Sequence, residues 1–366
     1  MKGVFLMKKK RLLLIPCIIA LLLLTGCEKE GADDAIVTKI NALKREDTKP
    51  FETLLNEGIK EPNESYVLQF PDELKKTYVS FLQQAFNRME FEISKPKKQE
   101  DKTQVVTVSF QPISIGETMK DACQKHLDSM SSADLTQEMK ALLEAKDSPL
   151  KGDPVFQGKT SSTFHLKKTD KGYTFAEKEL NAFLKKALVG YMKPYESVCE
   201  ILDIQDFMTS YLNASFKGDV TNFALHTDRT EEEALAWYES DTFTPPSDLS
   251  SDYAQRYQDA LKNILKQSQY TVGIPKKVTS GYTVEVTLTP NNSFVDAFHE
   301  FEQGTYYSIE EASAGLVQAM EKYAATPTYG AETSMTITLN TESLLLSDQT
   351  ESEMQTLAQT ILPIPS

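Results

Sequence analysis

Residues separated by 172 to 179 positions match along most of the chain, and this internal repeat limits the possible folds more than any other sequence feature. Ile40-Asn41-Ala42 matches Leu212-Asn213-Ala214 at an offset of 172. Further matches, in chain order, are Phe91 with Tyr270, Val106 with Val284, Phe110 with Leu288, Phe164 with Ile337 and Leu180 with Met354. The order is kept and the offset changes in a few steps, as loop insertions would produce. The sequence therefore predicts two copies of one domain.

Each copy runs through the same changes of hydrophobic period. Helical spacing predicts a first helix at 34–44 and again at 206–216, and a long helix at 71–86 and again at 253–267. Period-two alternation then predicts two strands, followed by helical pattern, a third strand and a final helix. The predicted strands are 91–94, 106–110 and 162–166 in the first copy, and 270–272, 282–288 and 334–339 in the second.

This order of elements predicts an α+β fold made of two tandem repeats, each a small antiparallel sheet covered by helices. We place repeat 1 at 34–195 and repeat 2 at 204–366, with the boundary near 191–204.

The first 26 residues differ in kind from the rest of the chain. Four basic residues at 8–11 precede an apolar run at 12–24. A bilayer-spanning helix needs about 20 apolar residues, so the run is short for a membrane span. Charge, apolar run and small residues in this order predict a secretory signal peptide at 1–26, followed by a polar tether at 27–33.

Leu24-Thr25-Gly26-Cys27 resembles the lipobox of bacterial lipoproteins. The resemblance implies that a peptidase recognises Leu24, Thr25 and Gly26 and cuts before Cys27, whose thiol carries a diacylglyceryl group. The membrane would then be a partner through this lipid, and the chain would lie on the extracytoplasmic face of the cell membrane. The alternatives are an ordinary signal peptide with an incidental cysteine and a retained membrane anchor.

A second resemblance concerns the repeated body. Tyr211-Leu212-Asn213-Ala214 with Lys217-Gly218-Asp219, followed by the strand at 282–288, is similar to tandem copies of an uncharacterised domain of Gram-positive surface lipoproteins. Some of these domains are cystatin- or NTF2-like. The resemblance implies an α+β fold and no particular activity.

The charge balance excludes one class of partner. The chain has a net charge of −14, and loss of the five basic residues of the leader would bring it to −19. Nucleic-acid binding relies on lysine and arginine contacts to phosphate, so we expect no nucleic-acid partner. We also expect anionic lipid head groups to repel this acidic body, so that the anchor and not the protein surface holds it at the membrane.

After lipidation of Cys27 and loss of the leader, the two remaining cysteines would be Cys123 and Cys199. An extracellular location permits a disulfide between them. The absence of a closely spaced cysteine framework favours two separately buried thiols.

Residue types that carry chemistry do not form a recognisable catalytic or metal motif. His126, His165, His226 and His299 lack any usual metal spacing, so neither a metal site nor a cofactor is predicted. The acidic run at 231–233 follows Thr230 and is interpreted as a helix cap and first turn. We therefore favour a non-enzymatic binding or scaffold module for an unknown envelope protein or ligand. The alternative is an envelope enzyme whose site is assembled from scattered residues.

Two aromatic pairs are the candidate contacts to a ligand or partner: Trp237 with Tyr238, and Tyr306 with Tyr307. If exposed, these side chains could grip a partner, because tyrosine and tryptophan dominate binding hot spots. If buried, they belong to the core.

Overall fold

The computed structural model describes residues 31–240, 243–340 and 348–364. Its main helices are α1 (Ala32–Arg45), α2 (Lys49–Gly58), α3 (Lys60–Ser65), α4 (Lys75–Asn87), α5 (Ile115–Ser129), α6 (Leu135–Leu143), α7 (Glu177–Ala187), α8 (Lys193–Leu212), α9 (Thr221–His226), α10 (Glu231–Glu239), α11 (Ala254–Leu265), α12 (Ser293–Glu302), α13 (Ile309–Ala325) and α14 (Asp348–Ile361). Its strands are β1 (Phe91–Ile93), β2 (Lys97–Lys98), β3 (Gln104–Phe110), β4 (Ile113–Ser114), β5 (Thr160–Thr169), β6 (Gly172–Thr174), β7 (Leu188–Val189), β8 (Gln269–Val272), β9 (Lys276–Val278), β10 (Gly281–Thr289) and β11 (Thr333–Asn340). Within the described ranges, no helix is both long and apolar enough to cross a bilayer.

The first compact unit contains residues 31–51, 83–113 and 156–189. Its main sheet has the strand order β1-β3-β5-β6, and β2 also pairs with β3. All of these pairings are antiparallel. Helices α1 and α7 pack on this sheet. The apolar side chains that alternate along the strands meet the helices in an aromatic core of Phe86, Phe91, Phe110, Phe164 and Phe183.

The second compact unit contains residues 52–82, 114–155 and the described residues from 190 onward. Its sheet has the order β11-β10-β8, with β9 also pairing with β10, and every pairing is antiparallel. Along β10, the buried Tyr282, Val284, Val286 and Leu288 alternate with residues that are half-buried or exposed, as a strand with one buried face requires. Helix α8 packs against β8, and α14 packs against β11.

The two sheets place residues that match in sequence at the same register. In the first sheet Val106 lies opposite Phe164, and in the second Val284 lies opposite Ile337. Three further pairs correspond in the same way: Phe91 and Phe110 with Tyr270 and Leu288, Ile93 and Val108 with Val272 and Val286, and Lys97 and Val105 with Lys276 and Thr283.

The predicted α+β class with helix-covered antiparallel sheets is confirmed. Several boundaries were wrong. The helix expected at 206–216 begins at Lys193, because Pro194 suits a first helical turn and the residues after it are buried. The segment between the predicted strands 91–94 and 106–110 contains the short strand β2. Helix α8 runs through the stretch where the two repeats are predicted to meet, and the predicted repeat boundaries remain a prediction.

Candidate functional site

An open cleft of about 380 Å³ lies in the second unit, among α8, α10, α11 and α14. Its walls include Tyr211, Phe216, Trp237, Tyr238, Leu362 and Ile364. We call it the aromatic cleft. Its volume falls in the range of small-ligand pockets, and its apolar walls with few polar groups fit the composition of such sites.

Two larger depressions are less suitable because charged side chains that are already paired line them. One, of about 580 Å³, contains Arg256 and Glu321, whose side chains form two hydrogen bonds of 2.8 and 2.9 Å. The other, of about 530 Å³ in the first unit, contains Lys159, which lies 2.6 Å from the Glu92 carboxylate.

The end of α8 shapes one wall of the aromatic cleft. After Leu212 the backbone widens into a π-helical turn at Asn213–Lys217 and stops at Gly218, which has a φ of +71°. Such π-helical turns are rare in proteins, and those that occur are frequently found at functional sites. The turn is fixed from outside, because the Tyr270 hydroxyl donates to Asn213 Oδ1 at 2.9 Å and the Lys217 ammonium lies 4.5 Å from the centre of the same ring.

A capping box holds the start of α10, the helix that carries Trp237 and Tyr238. Thr230 Oγ1 accepts from the Glu233 backbone N–H at 3.2 Å, and the Glu233 carboxylate accepts from the Thr230 N–H at 2.9 Å. The Thr230 N–H and hydroxyl both donate to the Glu233 carboxylate, and these two hydrogen bonds lower the pKa of Glu233. The interpretation of the acidic run at 231–233 as a cap and first turn is confirmed.

Aromatic contacts hold Trp237 and Tyr238 in place in the wall of the cleft. The Trp237 ring lies 4.7 Å from Phe223 and 5.9 Å from Tyr211, measured between ring centres. Trp237 is half-buried, so part of its ring remains open to the cleft. Tyr238 is 6% exposed and packs on Phe243 at 5.0 Å. Sequence analysis singled out Trp237 and Tyr238 as candidate contacts, and both line the cleft.

The polar groups of the cleft are mostly committed to local structure. Ser215 and Ser240 each donate their hydroxyl to a helical carbonyl, those of Tyr211 and Trp237, both at 2.8 Å. The buried Tyr238 hydroxyl has no hydrogen-bond partner among the described residues. Burial raises the pKa of both Tyr211 and Tyr238, so each is a neutral phenol at physiological pH.

Tyr306 and Tyr307, the other predicted contacts, do not line the cleft. Tyr306 stacks on Phe301 with ring centres 4.9 Å apart, and its hydroxyl donates to the Phe301 carbonyl at 3.1 Å. Tyr307 is 87% exposed. The two neighbours therefore have different environments, one packed and one in solvent.

A buried polar cluster lies elsewhere in the second unit. His226 Nε2 is 2.9 Å from Asp206 Oδ2, and His226 Nδ1 is 4.0 Å from Asp203 Oδ2. Asp203 also accepts from the Leu68 backbone N–H at 2.8 Å. Burial raises the pKa of Asp203, and the Leu68 hydrogen bond opposes that rise. The His226 side chain is only 1% exposed, so this cluster ties α8 to α9 and to residue 68.

Cys123 and Cys199 are both buried and are not joined by a disulfide, as the separate-thiol interpretation predicted. Within the parts of the chain that the structure describes, no three histidine, cysteine, aspartate or glutamate side chains are grouped to hold a metal ion. Leu24, Thr25, Gly26 and Cys27 lie outside the described residues.

The residues of the cleft that sequence analysis missed come from α8, α11 and the end of the chain. Leu265, Leu362 and Ile364 are ordinary apolar positions of helices or their ends, and only tertiary packing brings them together. Tyr211 was visible in the sequence only as part of the repeat. Comparison with protein-family models, with curated proteins and with solved structures gave no match.

Proposed function

We propose that this protein is a lipid-anchored binding module of the cell envelope, whose aromatic cleft receives the apolar part of a ligand. The observation that carries the proposal is the half-buried Trp237 in the wall of an open apolar cleft. A large apolar ring left partly in water gains free energy when a ligand covers it, at roughly 25 cal/mol per Å² of apolar surface buried.

The lipid on Cys27 would hold the module on the extracytoplasmic face of the cell membrane. Two acyl chains give stable membrane attachment where one chain does not. The signal at 1–26 and the lipobox residues support this part of the proposal.

We further propose that the body consists of two tandem copies of one domain, 34–195 and 204–366. The shared strand registers support this, and so does one detail of each sheet. Glu179 accepts from the backbone N–H of His165 in β5, and Glu353 accepts from that of Thr338 in β11. Each carboxylate comes from the final helix of its repeat and reaches the corresponding strand position.

Binding is favoured over catalysis by the state of the polar groups. The serine hydroxyls of the cleft donate to helix carbonyls, and not to a described histidine or carboxylate that could activate them as nucleophiles. The alternative of an envelope enzyme would draw on His226 with Asp203 and Asp206. That cluster is closed to substrate in this structure, because the imidazole is almost wholly buried.

Trp237 gives a direct test, because it is the only tryptophan in the chain. Titration with a neutral apolar dye such as N-phenyl-1-naphthylamine should change Trp237 emission and show energy transfer to the dye. Ala358→Leu should weaken the dye's affinity about tenfold or more, since it narrows the cleft from an exposed position of α14.

Ala236→Leu is the matched control, because Ala236 is an exposed helical alanine of α10 outside the cleft lining. Equal affinity in both variants and the parent, or no energy transfer from Trp237, would refute the cleft as the binding site.

The anchor has its own test. Mass spectrometry of the mature N-terminal peptide should find diacylglycerol on Cys27, and Cys27→Ala should leave an uncut precursor without lipid. An N-terminal peptide that begins elsewhere or carries no lipid would refute the anchor and leave the cleft proposal intact.

A further inference from the structure

Seven exposed lysines crowd one end of the first unit's sheet. Four lie on the β1–β3 hairpin and three lie on the end of β5 and its turn into β6: Lys95, Lys97, Lys98, Lys102, Lys167, Lys168 and Lys171. We call them the lysine tip. Such a cluster is unexpected in a chain whose net charge is −14.

Strand pairing brings the two groups of lysines together. Lys97 lies opposite Val105 on β3, and Val105 lies opposite His165 on β5. Gln104 Nε2 donates to the Tyr173 hydroxyl at 2.7 Å, which joins the start of β3 to β6. The hairpin and the β5–β6 turn therefore form one end of one sheet.

The local charge has the opposite sign to that of the whole chain. Residues 95–104 and 165–174 together contain the seven lysines but only three acids, Glu100, Asp101 and Asp170. Asp101 is hydrogen-bonded to Thr103 at 2.6 Å. Among the described residues, no carboxylate oxygen lies within 4.0 Å of a lysine-tip ammonium.

Acids on neighbouring helices reduce this charge only in part. Asp34 caps the start of α1 by accepting from the Gly31 N–H at 2.9 Å, where the helix dipole favours a negative charge. Glu179 on α7 lies 2.8 Å from His165 Nδ1. Asp33 and Glu177 also lie in the first turns of these helices, where the helix dipole likewise favours a negative charge.

Helix α1 points its N-terminal end toward the lysine tip. At its other end, Lys44 donates to the Met89 carbonyl at 2.7 Å and lies 5.2 Å from the centre of the Phe91 ring on β1. The same helix packs against β6, and β1 and β6 are opposite edges of the main sheet. Since α1 crosses the sheet from β6 to β1, its first residues lie at the β6 end, beside the β5–β6 turn.

The anchor is close to that end along the chain. Cys27 precedes Gly31 by four residues, a segment that can extend at most about 14 Å. A lipid on Cys27 would therefore hold the start of α1, and the lysines beside it, within reach of the head-group layer.

We propose that the lysine tip is a docking surface for anionic phospholipid head groups, which turns the first unit toward the membrane. The proposal rests on the lipid anchor at Cys27 proposed above. It replaces the expectation, drawn from net charge, that the whole body is repelled. Each lysine near an anionic surface contributes about fivefold in membrane affinity, equivalent to about 1 kcal/mol.

Lysine footprinting tests this on the mature lipoprotein. The purified protein is mixed with vesicles of pure phosphatidylcholine, or with vesicles containing phosphatidylglycerol, and is then acetylated briefly. Peptide mass spectrometry should show that the tip lysines are acetylated at least about threefold more slowly on the anionic vesicles than on the neutral ones. High salt should abolish this difference. Lys266 and Lys276, exposed lysines of the second unit, should show no difference.

Charge reversal gives the second readout. K97E/K98E/K167E/K168E should abolish the extra protection at the remaining tip lysines, whereas K266E/K276E should leave it intact. Because strand edges and turns tolerate surface changes, circular dichroism should show both variants folded. The K266E/K276E protein shows the effect of added negative charge outside the lysine tip.

Equal acetylation on neutral and anionic vesicles would overturn the docking proposal. Protection by soluble polyphosphate without protection by anionic vesicles would also overturn it, and would point to an anionic wall polymer instead. If the N-terminal peptide carries no lipid, the anchor fails. The vesicles are added from outside, so the footprint still judges the lysine tip separately.

Discussion

Tyr238 packs its ring against the backbone of Gly218 so closely that a Cβ on Gly218 would lie 2.8 Å from Tyr238 Cε1. Gly218 also has a φ of +71°, in the left-handed region that side chains rarely adopt. Gly218 is therefore required for two independent reasons. It ends the π-helical turn in a left-handed conformation, and its lack of a side chain leaves room for Tyr238 in the wall of the aromatic cleft.

Gly218→Ala should lower the free energy of unfolding by about 1–2 kcal/mol from backbone strain alone. The contact with Tyr238 adds to the loss and should also change Trp237 emission. Urea denaturation measures the first effect. Gly158→Ala is the control, because no heavy atom lies within 4 Å of its added Cβ. Equal losses in the two variants would contradict this account of Gly218.

Helix α14 covers the open edge of β11 at one residue. Glu353 accepts from the Thr338 N–H at 2.6 Å, and the Thr350 hydroxyl donates to the Thr338 carbonyl at 2.5 Å. An edge strand otherwise presents unpaired backbone groups to other chains. These two side chains satisfy both backbone groups of Thr338.

Glu353→Ala should therefore cost about 1–3 kcal/mol of stability, because it leaves a part-buried N–H without a partner. Hydrogen exchange at the Thr338 amide should accelerate in parallel. Glu351→Ala, an exposed change on the same helix, should stay within about 0.5 kcal/mol of the parent. Unchanged exchange at Thr338 in Glu353→Ala would show that the carboxylate does not protect this edge.

The strands were predictable from the sequence because their alternation is strict. Val106, Val108 and Phe110 alternate with half-buried residues, and the structure buries each of the three. The beginning of α8 was not predictable in the same way. Its first turns are buried on several sides, so Val198, Ile201 and Leu202 give no amphipathic period from which to read a helix.

The candidate site was only partly predictable for a related reason. Trp237 was conspicuous as the single tryptophan, whereas Leu362 and Ile364 are ordinary apolar residues more than a hundred positions away. A cleft depends on which helices meet, and local periodicity does not encode this. The compact units likewise join residues 31–51 with 156–189, a grouping that no linear boundary could predict.

The two buried thiols should react only slowly with thiol reagents in the native protein. Burial raises the pKa of Cys123 to about 11 and that of Cys199 to about 12. Since the thiolate is the reactive form, about one Cys123 in a thousand is reactive at pH 8. Ellman's reagent should react slowly with the native protein and rapidly with both thiols in urea.

The raised thiol pKa values also predict how the free energy of unfolding depends on pH. The native state holds both thiols protonated, whereas unfolded thiols ionise near pH 8.5. Stability should therefore be unaffected by these groups at neutral pH and should fall as the pH rises from about 8.5 toward 11. Cys199→Ala should reduce this alkaline loss. Rapid reaction of either thiol in the folded protein at pH 8 would contradict the burial.

Substitutions of Tyr306 and of Tyr307 should have different effects on stability, because the first side chain is packed and the second is in solvent. Tyr306→Ala removes the ring stacked on Phe301 and should lower the free energy of unfolding by about 1–3 kcal/mol. Tyr307→Ala removes a side chain that is 87% exposed, and its effect should lie within about 0.5 kcal/mol. Thermal and urea denaturation measure both. A large loss in Tyr307→Ala would place that ring in the core, whereas an unchanged stability in Tyr306→Ala would show that its stacking on Phe301 contributes nothing.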